Sequence, residues 1–249
     1  MRLSSWLIVI PARLHSTRLA QKPLCLLGGQ PLIVRTFENL MPLVDLGAEI
    51  IVATDAERVY EVCRQNHIPV MMTLDAVSGT DRVFQVALQK TKPFVLNVQG
   101  DEPFVEITDL IKLMDELEND PIAQMGSLYF RSDVQEEFTN PHNVKVILDR
   151  ENYALYFSRE AIPYQHKNVS QDWSFCHHIG VYAFRRQSLV DFCTLQASTL
   201  EKAENLEQLR ALENGFRIKM VEAHAKSLGI DTPQDLERAE VFFVQKKRL

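Results

Sequence analysis

Three cations stand within ten residues, at Arg13, Arg18 and Lys22, with the hydroxyls of Ser16 and Thr17 between them. They follow directly on an apolar run, "WLIVIP", that ends at Pro11 and leads into Ala12. The chain as a whole has a formal net charge of −6, so this positive cluster is local. Such a loop could hold a phosphate-rich ligand, with arginine as a planar fork and lysine as a point charge. Neither G-x-x-x-x-G-K-[ST] nor G-x-G-x-x-G accompanies it, so side-chain charge would have to do the holding. A solvated surface run is the other reading of the same spacing.

Two carboxylates occupy comparable places. Asp101 follows the apolar "FVLNVQG", and Asp231 lies in "GIDTP". Each could be a helix cap, a structural hydrogen-bonder or a metal ligand. Two separated carboxylates completed by phosphate oxygens and water make a set suited to Mg²⁺. Glu102 is expected to point away from Asp101 if the strand continues, so the pair is not by itself a dyad. The segment "FCHHIG" has the residue types of a zinc site. On a strand, however, Cys176 and His178 share one face and His177 takes the other, and no second ligand pair has suitable spacing. His178 reads better as a polar group on a pocket face. Glu207 and Arg210 stand at i, i+3, where a surface ion pair is the plain alternative.

The elements that must position these groups follow from hydrophobic periodicity. Strands are expected at "WLIVIP", "AEIIVATD", "IPVMMT" and "PFVLNVQGD". They alternate with helices at "PLIVRTFENLMPL", "AERVYEVCRQN", "GTDRVFQVALQK" and "ITDLIKLMDELE", with Asp55 and Thr80 as helix caps. That alternation predicts an α/β fold: a mostly parallel sheet with helices on both faces. Ligands then sit at the carboxyl ends of the strands, where the cationic loop, "SGTDR", "QGDEP" and "GIDTP" fall. After Pro121 the rhythm changes. "MGSLYF", "NVKVILD", "YALYFS" and "HHIGVYAF" crowd together and predict an antiparallel insertion, residues 125–185, within one domain spanning 1–249. A helix over "LEKAENLEQLRALENG" stopping at Gly215, a late strand "FRIKMVEA" and a last helix capped by Thr232 complete the expectation.

Composition excludes several classes. An acidic chain has no case for binding nucleic acid. No apolar run reaches ~18 residues, so no membrane span is expected, and the N-terminus is cut by Pro11 and Arg13 before it could be a signal peptide. Four scattered cysteines, Cys25, Cys63, Cys176 and Cys193, fit a reducing cytoplasm.

Taken in order, "PARxxSTRL..KPL", "VATD", "SGTDR", "NVQGDEP", "NPHNVKVILD", "ALYFSREAIPY", "HHIGVYAF", "LEKAENLEQLRALENG" and "GIDTPQDLERA" span residues 11 to 239. Over nearly its whole length the chain resembles the 3-deoxy-manno-octulosonate cytidylyltransferases, or CMP-Kdo synthetases. The resemblance implies the nucleotide-diphospho-sugar transferase type of fold. It implies transfer of CMP from CTP to 3-deoxy-manno-octulosonate (Kdo), with Mg²⁺, for lipopolysaccharide assembly. It also implies a homodimer, with the insertion on the interface and the sugar side. Pro11, Ala12, Arg13, Ser16, Thr17, Arg18, Lys22, Ser78, Gly79 and Arg82 then belong to the nucleotide, with Arg18, Lys22 and Asp101 catalytic. Asp101 and Asp231 become the metal ligands, and Gln99, Arg159, His178, Tyr182, Glu207 and Gln208 the sugar-side residues. A related acidic sugar such as 8-amino-Kdo, or a sugar-nucleotide binder without catalysis, are the alternatives. Two departures stand out. The family's R-L-P-G-K-P-L is Arg18-Leu19-Ala20-Gln21-Lys22-Pro23-Leu24 here, and its Arg-His pair is His177-His178.

Overall fold

The computed structural model describes residues 2–14, 18–166 and 173–246. In chain order the elements are β1 (Trp6–Ala12), a 3-10 turn (Lys22–Leu24), β2 (Leu26–Leu27), β3 (Gln30–Pro31), α1 (Leu32–Asp45), β4 (Glu49–Thr54), α2 (Glu57–Gln65), β5 (Val70–Met72), α3 (Gly79–Leu88) and β6 (Phe94–Val98). There follow α4 (Ile107–Asn119), β7 (Met125–Ser132), α5 (Gln135–Thr139), β8 (Lys145–Leu148), β9 (Ala154–Ser158) and β10 (Phe175–Arg185). The chain closes with α6 (Arg186–Thr194), α7 (Thr199–Glu204), α8 (Gln208–Glu213), β11 (Ile218–Glu222) and α9 (Pro233–Lys246). These pack into two compact units, Met1–Ile107 with Ser227–Leu249, and Thr108–Lys226.

In the first unit β1 pairs in parallel with β4 on one side and β6 on the other, and β4 pairs in parallel with β5. All seven residues of β1 are buried, as a central parallel strand covered on both faces requires. Because β1 and β6 run side by side in parallel, their carboxyl ends bring Arg13 and the Gln99–Asp101 turn to the same rim. The start of α9 reaches that rim too: Ile230 N donates to Asp101 O at 3.0 Å. A cluster of Leu27, Leu32, Phe104, Ile230 and Ala239, with Leu19 and Phe243 packed against it, fixes α9 there.

In the second unit β7 pairs antiparallel with β10, β10 with β8 and β8 with β9, while β11 joins β7 in parallel. The strands of residues 125–185 are therefore antiparallel neighbours, as their crowding predicts. The β7–β10 ladder slips between Ile179 and Tyr182. Such a bulge re-aims backbone and side chains locally.

The structure corrects several local expectations. Ser78, not Thr80, caps α3, in a capping box with Asp81, and α2 begins at Ala56 without a side-chain cap. Asp55 instead takes the Arg82 guanidinium at 2.6 Å. The long helix expected up to Gly215 is two short ones, α7 and α8, broken where Asn205 adopts φ 52°, ψ 51°. Periodicity also missed α6, whose buried Leu189 and Phe192 give it only a narrow apolar stripe. Thr232 does cap α9: its hydroxyl accepts from Asp235 N at 3.2 Å while Asp235 Oδ2 accepts from Thr232 N at 3.0 Å.

Candidate active site

At the rim of the first unit the Lys22 ammonium donates to Asp101 Oδ2 at 2.5 Å and to Asp231 Oδ1 at 2.7 Å. Arg18 reaches the same Asp231 oxygen at 3.1 Å. Residues far apart in sequence thus meet at one point. The 3-10 turn carries Lys22, the turn after β6 carries Asp101, and Asp231 immediately precedes the α9 cap Thr232. Burial pulls the Lys22 pKa down, but the charge and hydrogen bond of Asp101, then those of Asp231, outweigh it and leave the value raised. Lys22 is therefore cationic at neutral pH.

Two cavities adjoin this point. One, of about 180 Å³, is lined by Pro11, Ala12, Arg13, Arg18, Lys22, Gln99, Asp101 and Asp231 among others. The other, of about 250 Å³, is lined by Pro11, Arg13, Ser78, Gly79, Arg82 and Gln99 with Ala76 and Val77. Pro11, Arg13 and Gln99 belong to both. Space at Gly79 is tight: a Cβ there would stand 3.1 Å from Gln99 Oε1 and 3.4 Å from Pro11, so the Gln99 amide would have to give way slightly. Gln99 is steered by Asn97, whose Oδ1 accepts from Gln99 Nε2 at 2.9 Å. The Ser78 hydroxyl is engaged with Asp81 in the capping box, and the buried Arg82 guanidinium is divided between Asp55 and Thr73. Ser16 and Thr17 lie outside the described residues. A further cavity of about 740 Å³ is lined by residues that include Phe37, Met41 and Ile50 and shares no residue with these two.

Glu102 parts from Asp101, but not by strand alternation: β6 ends at Val98, and the pair lies in the turn that follows. Its carboxyl accepts from the Ser227 hydroxyl, and burial together with the Asp101 charge pushes its pKa up to about 7.

The second unit gathers the other sequence-predicted residues, Gln99 excepted. Arg159 donates from Nε to Glu204 O at 2.7 Å, from Nη1 to Pro141 O at 3.1 Å and from Nη2 to Asn205 O at 3.3 Å. A guanidinium has five N–H donors, so two have no partner among the described residues. Tyr182 donates to Gln208 Oε1 at 3.2 Å, and the buried Gln208 Nε2 has no hydrogen-bond partner among the described residues. His178 contacts the Ser127 hydroxyl through Nε2 at 2.8 Å, with the Phe157 ring edge-on. Burial, reinforced by His177, pulls its pKa down to about 3, so the imidazole is neutral. Glu207 precedes α8, and Arg210 pairs with Glu201 at 2.9 Å. Sequence reasoning missed Asn97 and Ser127. Asn97 is the lone polar residue of β6, and Ser127 stands between Gly126 and Leu128 in the buried first half of β7; that was the available signal.

A family model described as cytidylyltransferase matches residues 7–248. The 3-deoxy-manno-octulosonate cytidylyltransferase of Flavobacterium johnsoniae is 42% identical over 93% of this chain and 95% of its own length. The chain belongs to this cytidylyltransferase family. The Chloroherpeton thalassium relative of the same name is 42% identical over 96% of the chain and 98% of its own. A solved CMP:2-keto-3-deoxy-manno-octonic acid synthetase complexed with CTP superposes with a TM-score of 0.90 at 36% identity, covering 97% of this chain and 99% of that one. A 4-diphosphocytidyl-2C-methyl-D-erythritol synthase from Anaerococcus prevotii, 14% identical with a TM-score of 0.63 over 96% of this chain and 99% of that one, shares the fold. The cytidylyltransferase framework thus accounts for the α/β architecture.

Proposed function

We propose that the chain transfers CMP from CTP to the anomeric hydroxyl of Kdo, releasing pyrophosphate and supplying CMP-Kdo for lipopolysaccharide assembly. The observation that carries this reading is the Lys22 ammonium seated between Asp101 and Asp231, on a loop that also presents Arg13 and Arg18 to the adjoining cavity. The relatives' named activity, and the CTP complex of the similar solved structure, support the two substrates.

The two aspartates fit a hard divalent cation. Their oxygens already converge on a positive charge, and the described residues hold no cluster of three or more histidine, cysteine or carboxylate side chains that would bind metal alone. Asp101 and Asp231 would hold Mg²⁺ with phosphate oxygens and water completing the set. When bound, the ion neutralises phosphate charge and acts as a Lewis acid on the phosphoryl oxygen.

The chain's own residues do the rest. Arg13, Arg18 and Lys22 offset the triphosphate charge, and Lys22 stabilises the charge that grows as pyrophosphate departs. Ser78 and Gly79 present the start of α3 to the cytidine, and the small volume at Gly79 lets the nucleotide approach the backbone. The anomeric oxygen of Kdo attacks the α-phosphorus directly, so no enzyme nucleophile is needed. The two N–H donors of Arg159 left without a partner among the described residues suit the Kdo carboxylate, and Gln208 Nε2, Tyr182, His178 and Glu207 suit its hydroxyls. A cytoplasmic homodimer, with residues 125–185 contributing to its interface, belongs to the same reading.

The test is pyrophosphate release from CTP and Mg²⁺ with Kdo, with 8-amino-Kdo and with no sugar. Release that needs Kdo supports the reading. Release with the amino sugar alone replaces the substrate, and CTP binding without any release makes the chain a binder.

A further inference from the structure

The Ser127 hydroxyl lies at full burial beneath the β7–β10 bulge. It faces three groups: Val181 O at 2.7 Å, Ile179 O at 3.3 Å and His178 Nε2 at 2.8 Å. A hydroxyl has one proton, and carbonyl oxygens only accept. If that proton went to His178, the hydroxyl oxygen would turn lone pairs on Val181 O at 2.7 Å, an uncompensated contact between two acceptors. The proton therefore goes to the carbonyls, and His178 Nε2 must itself be a donor. We propose that Ser127 is a positioning residue that locks His178 as the Nε2–H tautomer, so that Nδ1 is a hydrogen-bond acceptor and the sugar group it meets must be a donor.

This rests on the reading above that His178 faces the sugar. Nδ1 has no protein hydrogen-bond partner among the described residues and is not one of the fully enclosed unpartnered atoms, so it keeps some accessible surface although His178 as a whole is buried. The bulge is what makes the device work. Without the slip between Ile179 and Tyr182, the two carbonyls would not both converge on one side chain of the neighbouring strand. The imidazole is neutral, so one ring nitrogen carries no proton and the tautomer decides which. An acceptor nitrogen takes a hydrogen bond from a hydroxyl or an ammonium alike. At this contact the enzyme would therefore accept Kdo and an amino-substituted analogue, and would refuse an ether or carbonyl.

The experiment is long-range proton–nitrogen correlation NMR on the full chain with nitrogen-15 histidine, using His178→Gln to assign the His178 signals. The expected spectrum has a protonated Nε2 and an unprotonated Nδ1 whose resonance moves when Kdo is added with a non-hydrolysable CTP analogue. In steady-state kinetics, Ser127→Ala should raise the KM for Kdo about five- to fiftyfold, with little change in the KM for CTP, and Ser127→Thr should restore part of the loss. A proton on Nδ1 of the wild-type chain overturns the proposal, and needs no variant to fold. An Nδ1 signal that ignores Kdo overturns it too, and specifically removes His178 from the sugar. An unchanged KM for Kdo in Ser127→Ala, or an equal rise for both substrates, leaves Ser127 a purely structural residue and overturns its part in specificity.

Discussion

Gln21 Oε1 accepts a hydrogen bond from Arg58 Nη1 at 2.9 Å, and Gln21 itself sits in the left-handed region at φ 52°, ψ 37°. The two facts belong together. Gln21 occupies the place of a glycine in the family pattern and immediately precedes Lys22. A non-glycine residue in that conformation costs on the order of 1 kcal/mol. The contact from α2 offsets part of that cost and holds the turn that presents Lys22. Gln21→Gly should therefore stabilise the chain by about 0.5–1 kcal/mol. Arg58→Ala should destabilise the wild-type chain by a similar amount and do nothing in the Gln21→Gly background. Urea melts of the four chains close the cycle. Additive effects would show that Arg58 does not act through Gln21.

Much of this neighbourhood was legible in the sequence. Alternating apolar runs placed β1, β4, β5 and β6 and the helices between them, because a central parallel strand has to be apolar on both faces. The cationic loop and the two aspartates could be picked out by type and position at strand ends. Their convergence on Lys22 could not, since it depends on a backbone bond between Ile230 and Asp101. Caps failed for a related reason. Asp55 and Thr80 are reasonable caps locally, and only the pull of Arg82 on Asp55 and the pairing of Ser78 with Asp81 decided otherwise. The break at Asn205 is a backbone conformation that asparagine tolerates but does not announce. Ser127 lies 51 positions from its partner His178, beyond any periodicity.

Arg159 has three of its donors on backbone carbonyls, so its orientation is set before any ligand arrives. Arg159→Ala should raise the KM for Kdo by roughly 10- to 100-fold, from loss of about 1.5–3 kcal/mol of charge-assisted contact, and leave the KM for CTP within a few-fold. Arg159→Lys keeps the charge but cannot match the fork, so it should fall between the two. Steady-state kinetics with each substrate varied in turn gives the answer. An equal rise in both Michaelis constants would take Arg159 off the sugar.

His178 and His177 set the acid limit of the second unit. Burial, with the His177 charge second, holds His178 at about 3. Burial, with the Lys226 charge second, holds His177 at about 4. The unfolded value is about 6.5. As pH falls through 6.5 the unfolded chain takes up protons that the folded chain refuses, so stability is full above 6.5 and is lost as pH falls toward these lower values. Each histidine adds a slope of up to about 1.4 kcal/mol per pH unit. His178→Gln should flatten the fall between pH 6 and about 4 by one proton's worth, read from chemical denaturation at a series of pH values. An unchanged slope would mean that His178 titrates normally in the folded chain.

Under the proposed function, Lys22 and a divalent cation would compete for the same carboxylate oxygens, which separates binding from chemistry. In the free chain the ammonium already neutralises part of the Asp101–Asp231 pair. Lys22→Met removes that competitor and leaves two carboxylates whose mutual repulsion a cation would relieve. Mg²⁺ should then bind the nucleotide-free variant more tightly than the wild type, about three- to tenfold by titration calorimetry. Turnover should move the opposite way and fall by at least about 100-fold, because the positive charge that meets the departing pyrophosphate is gone. Asp101→Asn should lose both, since its amide keeps the volume and gives up the charge. The contrast between the two variants is the informative result. If Lys22→Met binds Mg²⁺ no better than wild type while Asp101→Asn binds it equally well, the aspartates hold the lysine and not a metal. If Lys22→Met turns over CTP and Kdo at the wild-type rate, the loop at the end of β1 is a solvated run of charge.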